Sequence, residues 1–204
     1  MKKVCDNWEQ ALPTGVTGPH LFDEFATRAK NVSAEVFRVA TIADARQVLV
    51  DFAKGVDAKK VVAVSCPLIQ AAGALEALTG AGVEVYTEAA AIRSQAETAD
   101  LGISGVEFGV AETGSVCQDA LAIEERLVST LPPIHVVFIN SANIVPGMAD
   151  AIGIVAKVFD RGYLSFITGP SRTADIERVL TIGVHGPSRF VIIAVDETVG
   201  GGAQ

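Results

Sequence analysis

The chain predicts an α/β fold: a mainly parallel sheet with helices on both faces and an inserted antiparallel hairpin. Three observations carry this. Short unbroken apolar runs, such as Val61-Val62-Ala63-Val64 and residues 134–140, are expected of strands buried on both faces. Segments with helical apolar spacing lie between them, several opened by capping residues. From Val106 to Gln118 the pattern changes to alternation around Thr113-Gly114, the mark of a tight hairpin.

Residues 1–20, punctuated by Pro13, Gly15, Gly18 and Pro19, read as an arm ahead of the core. Trp8 and Leu12 suit docking on the body or on a second copy of the chain. Phe22, Phe25, Ala26 and Ala29 have helical spacing within 22–32, and 35–40 reads as a strand. Thr41 with Asp44 forms a capping-box start for a helix to Lys54. The strand at 60–65 is followed by a helix over 68–79, stopped by Gly80 and Gly82, and a strand at 83–86. Ser94 with Glu97 reads as a second capping box, for a helix stopped by Gly102. The hairpin comes next, then a helix at 123–129, a strand at 134–140, a helix at 146–159 and a strand at 163–168. Gly169-Pro170 ends that strand, a further helix is expected among the Ser, Thr and Asp that follow, and Gly186-Pro187 precedes the last strand. The domain proper is 21–196, and residues 197–204 read as a flexible tail.

A length of 204 residues, half of them apolar, suits one domain with a well-filled core. No apolar run approaches the ~18 residues of a membrane span, and the N-terminal lysines precede no apolar stretch. A soluble, cytoplasmic protein is expected. The net charge of −8 argues against a nucleic-acid partner but permits a local pocket for a small anion. Cys5, Cys66 and Cys117 lie too far apart for a zinc or iron–sulfur set, and the histidines are equally scattered. No dinucleotide glycine fingerprint, phosphate-binding P-loop or nucleophile elbow is present.

The polar turn Gly169, Pro170, Ser171, Arg172, Thr173, Asp175 is the first candidate site. A helix starting there would aim backbone N–H groups at a carboxylate or phosphate, and Arg172 would add a fork. The alternative is that Ser171 or Thr173 merely caps the helix while Asp175 complements its dipole. Glu112, beside Thr113 and Gly114 at the hairpin turn, offers a carboxylate for nucleophilic or acid–base work, or only a turn residue. His185, before Gly186-Pro187, offers a ligand contact or a loop anchor. Cys66 and Cys117 read as small buried apolar residues with a thiol function as the alternative. Arg126 reads as a helix-end charge.

Four motifs in order, Ala-Glu-Thr-Gly-Ser (111–115), Arg126 with Leu-Pro-Pro-Ile-His (131–135), Ile-Thr-Gly-Pro-Ser-Arg-Thr-Ala-Asp-Ile-Glu (167–177) and Gly-Val-His-Gly-Pro (183–187), closely resemble the lactate-utilisation protein C family of single LUD-domain proteins. The match is strong over about residues 90–195 and holds in outline before that. The resemblance implies a fold like that of the sugar-phosphate isomerases and CoA-transferases. It implies a place in oxidation of L-lactate to pyruvate beside partner proteins that carry iron–sulfur clusters. The lack of cluster cysteines agrees with a chain that holds no cofactor itself. Val116-Cys117-Gln118 departs from the aliphatic strand expected after the turn. Two readings follow: a cluster-free subunit of a lactate-oxidising complex with a small-anion pocket at 169–175, or a stand-alone enzyme using Glu112 on a small carboxylate, phosphorylated or CoA-linked acid. A homo-oligomer through the arm is compatible with either.

Overall fold

A computed structural model describes residues 8–158, 162–170, 172–173, 181–182 and 185–199. Six parallel strands form the main sheet: β1 (Ala34–Val39), β2 (Lys60–Ala63), β3 (Glu84–Tyr86), β4 (Leu101–Gly105), β7 (Ile134–Asn140) and β12 (Arg189–Val195). Their order is β1-β12-β7-β4-β2-β3. A second, four-stranded sheet holds β5 (Phe108–Val110), β6 (Ser115–Asp119), β8 (Ile144–Val145) and β9 (Leu164–Ile167), in the order β8-β5-β6-β9.

Side-chain alternation along the main strands separates two faces. Ile103, Val136, Phe138, Val191 and Ile193 point to one, where α2 (Ile42–Gly55), α3 (Pro67–Ala72) and α4 (Ala74–Gly80) cover them. Val137, Ile139, Ile192 and Ala194 point to the other, against α1 (Phe22–Asn31) and the second sheet. Beside these, α5 (Ala89–Gln95) and α6 (Ile123–Thr130) pack Ile92 and Val128 against Val62. The far side of the second sheet is closed by α7 (Met148–Val158) and the arm, whose Trp8 ring lies 5.9 Å from that of Phe108. The arm therefore docks on the body.

The capping box at Thr41 is formed: its hydroxyl accepts from Asp44 N at 3.1 Å, and the Asp44 carboxylate accepts from Thr41 N at 3.2 Å. The hairpin of β5 and β6 is antiparallel as expected, but it seeds the second sheet and is not inserted in the first. β9 likewise joins the second sheet, antiparallel to β6. The helix expected at 68–79 is two helices, because Gly73 takes a left-handed conformation at φ 56°. Ser94 opens no helix. It sits in the last turn of α5, where its hydroxyl bonds back to Ala91 O at 3.0 Å. β4 was not expected, since Gly102 read as the stop of a helix; in the structure Gly102 and Gly105 admit close neighbours. A Cβ on Gly102 would lie 2.0 Å from Val128 O of α6, and one on Gly105 would lie 2.7 Å from Cys66 Sγ. The helix expected at 146 begins at Met148, because Ile144 and Val145 pair with Gly109 and Val110. No helix among the described residues is long and apolar enough to cross a membrane. The Gly200-Gly201-Gly202 tail lies outside the described residues.

Candidate functional site

Two of the sequence motifs meet at one end of the second sheet. Val116 pairs with Ile167, which sets Ser115 beside Thr168, and their hydroxyls are 2.9 Å apart. Gly114, at φ 68°, packs so tightly on α1 that a Cβ would sit 2.2 Å from Ala29 N. Gly169, at φ 138°, does the same at the end of that helix, 2.6 Å from Val32 O. Gly114 and Gly169 are thus demanded by close approach to α1. Thr113 supports its turn by accepting from Ser115 N at 3.3 Å, and Pro170 is buried.

Glu112 is exposed, and its carboxylate accepts from Met148 N at 3.0 Å. It thereby caps α7 from another element, satisfying a free N–H and complementing the helix dipole. Gly147 makes room for it: a Cβ there would lie 2.8 Å from Glu112 Oε2.

The anion cradle expected at a helix start in 169–175 takes a different form. Arg172 and Thr173 are the strand β10 (Arg172–Thr173), paired antiparallel with β11 (Thr181–Ile182). Extended backbone directs its N–H groups sideways into a ladder, not along a helix axis, so no helix begins at these residues. Ser171 and Asp175 lie outside the described residues, as do the side chains of Arg172 and Thr173.

Gly169 and His185 are nevertheless brought together. They line one cavity of about 160 Å³ with Ser129, His135, Ile167, Pro187 and Phe190. His135 and Phe190 are paired near the starts of β7 and β12, so the cavity opens at the amino ends of the main strands. Carboxyl ends, the usual ligand position in open α/β sheets, are not where it lies.

Behind the cavity runs a polar chain that the sequence reading missed. His135 is fully buried, and its Nε2 is 2.9 Å from Ser104 Oγ. Gln118 Nε2 donates to Ser104 Oγ at 3.1 Å and to Glu125 Oε2 at 2.9 Å. His135 Nδ1 and Gln118 Oε1 are buried without a hydrogen-bond partner. Burial holds the His135 imidazole neutral, its pKa down at about 3, and pushes the Glu125 carboxyl up to about 7. The available signal was a histidine inside an otherwise apolar strand, since a polar group on a buried run must find partners.

Cys117 is buried and Cys66 half-buried. Burial raises the Cys66 thiol to about 11 and moves Cys117 upward as well, so both are protonated at neutral pH. The Arg126 guanidinium, expected as a helix-end charge, lies 4.6 Å over the Tyr163 ring. Among the described residues no His, Cys, Asp and Glu cluster could hold a metal.

With this geometry in place, the chain can be set beside known proteins. The family model of the LUD domain matches residues 22–195. The chain belongs to the LUD domain family. It is 37% identical over 107 residues to lactate utilization protein C of Geobacillus sp. (strain WCH70), covering 50% of this chain and 44% of that protein. It is 33% identical over 147 residues to lactate utilization protein C of Halalkalibacterium halodurans, covering 69% of this chain and 64% of that one. The matched stretch thus spans about half to under two thirds of the length of these relatives. The crystal structure of a DUF162 family protein from Deinococcus radiodurans superposes with a TM-score of 0.61 at 19% identity, over 86% of this chain and 96% of that one. That likeness bears out the mainly parallel α/β fold. The family resemblance read from the four motifs is borne out too.

Proposed function

We propose that this LUD-domain protein serves lactate utilisation as a cluster-free subunit, beside iron–sulfur partner proteins that take the electrons when L-lactate is oxidised to pyruvate. Its own part is to hold a small acid. The observation that carries this reading is the convergence on one cavity of two motifs that carry the family resemblance, Gly169 from one and His185 from the other. The names of its relatives supply the pathway. Clusters belong to the partners in this reading, and the chain itself needs no cofactor.

The test is an anaerobic pull-down of the tagged chain from its native cells grown on lactate. The eluate is assayed for iron–sulfur absorbance and lactate-dependent dye reduction. Co-purifying cluster proteins with activity are the expected result. A solitary, colourless and inactive protein rejects the complex and returns attention to a stand-alone enzyme.

A further inference from the structure

We propose that the outer face of α7 is an interface between two copies of this chain, packed helix against antiparallel helix about a two-fold axis between Ile152 and Gly153.

Helix periodicity divides α7 into two faces. Ala151, Ile154 and Val158 are buried against the second sheet. Ala149, Ile152, Gly153 and Ala156, three and four residues apart on the opposite side, are exposed. A solvent-facing helix surface is ordinarily polar. Ile152 is nevertheless 54% exposed, the most open large apolar side chain among the described residues. Gly153 is equally out of place. Glycine inside a helix is unfavourable, and a Cβ at this one would meet nothing within 4 Å. Gly102, Gly105, Gly114 and Gly169 each answer to a close neighbour within the chain, and Gly55 and Gly80 end their helices. Approach from outside the chain gives Gly153 the neighbour that the fold does not.

The complement of this face is the face itself. With the axis between residues 152 and 153, Ile152 of each copy lies over Gly153 of the other, and Ala149 over Ala156. Side chains this small let the helix axes approach to about 8 Å, the close end of the ordinary range. Asp150 and Lys157, seven residues apart, share one flank of α7, and neither forms an ion pair among the described residues. The two-fold axis keeps that flank on the same side in both copies. Reversal of direction then brings Asp150 beside Lys157 of the partner subunit, twice in the dimer. An unrelated protein would need a matching ridge, groove and charge order, whereas a second copy has all three by symmetry. One helix of 11 residues, about 16 Å long, makes a small contact, so the dimer is reversible and concentration-dependent.

Sedimentation of the full chain from about 1 μM to about 1 mM tests this, and a reversible monomer–dimer equilibrium is expected. Gly153→Leu fills the groove while favouring the helix. That variant and Ile152→Glu should each weaken the dimer at least about tenfold and leave a folded monomer. Asp150→Lys and Lys157→Asp should each weaken it about threefold, and the double exchange should restore it. Phe37→Glu, at an exposed apolar residue of β1, should leave association unchanged. A chain that stays monomeric throughout the range overturns the proposal. So does a dimer that tolerates Ile152→Glu and Gly153→Leu, one abolished by Phe37→Glu instead, or one that the double exchange fails to restore. A melting temperature lowered by Gly153→Leu in the monomeric Ile152→Glu background also overturns it, because the fold itself would then require the glycine.

Discussion

The two faces of the main sheet are built on different terms. On one, Leu49, Leu78, Ile69, Ile103, Phe138 and Ile193 form a continuous apolar layer under α2, α3 and α4. On the other, Ser104, Gln118, Ser129 and His135 are buried among the apolar contacts of α1, α6 and the second sheet. Apolar burial is non-directional and sets the sheet regardless of fine geometry. Buried polar groups stabilise only when every donor and acceptor is matched, and here His135 Nδ1 and Gln118 Oε1 are not. One face is organised for stability; the other forgoes some of it and keeps a cavity. Substitutions on the two faces should therefore differ in kind as well as in size.

The largest effect is expected at Leu49→Ala, a fully buried side chain of the apolar face. It should cost about 2–5 kcal/mol in denaturant unfolding, with carboxylate binding unchanged in the protein that remains folded. Gly102→Ala, on the other face, should cost about 3 kcal/mol, because its Cβ would meet the Val128 carbonyl at 2.0 Å and α6 must move. That helix carries Ser129 and Glu125, so Gly102→Ala should also weaken ligand binding. Equal losses of stability with binding untouched in both variants would erase the distinction between the faces.

A pH profile sharpens the comparison, because the polar chain contains two oppositely perturbed groups. The folded-state pKa of His135 is lowered from 6.5 to about 3, so between these values the unfolded chain binds more protons and stability rises with pH. That of Glu125 is raised from 4.5 to about 7, so the folded chain binds more protons in that interval and stability falls as pH rises. Between pH 4.5 and 6.5 the two slopes oppose each other, each at most about 1.4 kcal/mol per pH unit. Glu125→Gln should leave the rising slope of His135, and His135→Gln the falling slope of Glu125. Chemical denaturation across this window reads both. Variant profiles parallel to that of the parent protein would show that neither group is perturbed as described.

The same contrast explains how much could be read from the chain. β7 was expected at its observed bounds because Ile134–Asn140 is nearly all apolar, and α2 because its capping box is local. β4 was missed because Gly102 looks like a helix stop in isolation; what requires Gly102 and Gly105 are Val128 O and Cys66 Sγ, brought there by the tertiary fold. Gly169 and His185 were legible as motif residues, and the cavity unites them. His135 was passed over as scattered, since its partner Ser104 and the supporting Gln118 and Glu125 come from three other elements. Apolar patterning carries the fold, whereas a polar site is a matter of long-range pairing that no single segment displays.

The smallest expected effect concerns the residue that the sequence made most suggestive. Glu112 stands at the turn between β5 and β6, and its carboxylate receives Met148 N at the start of α7. Gln at this position still accepts that hydrogen bond but loses the charge that complements the helix dipole. Glu112→Gln should therefore cost about 0.3–1 kcal/mol. If the proposed complex forms, its lactate-dependent dye reduction should stay within about twofold of the parent, because a loss of this size depletes the folded population very little. Glu112→Ala, which removes the acceptor as well, should lose more stability by an amount typical of a deleted cap, about 1 kcal/mol. If Glu112→Gln instead abolished turnover at an unchanged melting temperature, capping would not account for the residue. The carboxylate itself would then have to meet the substrate, and the chemistry would belong at the hairpin turn, not at the cavity beside His135.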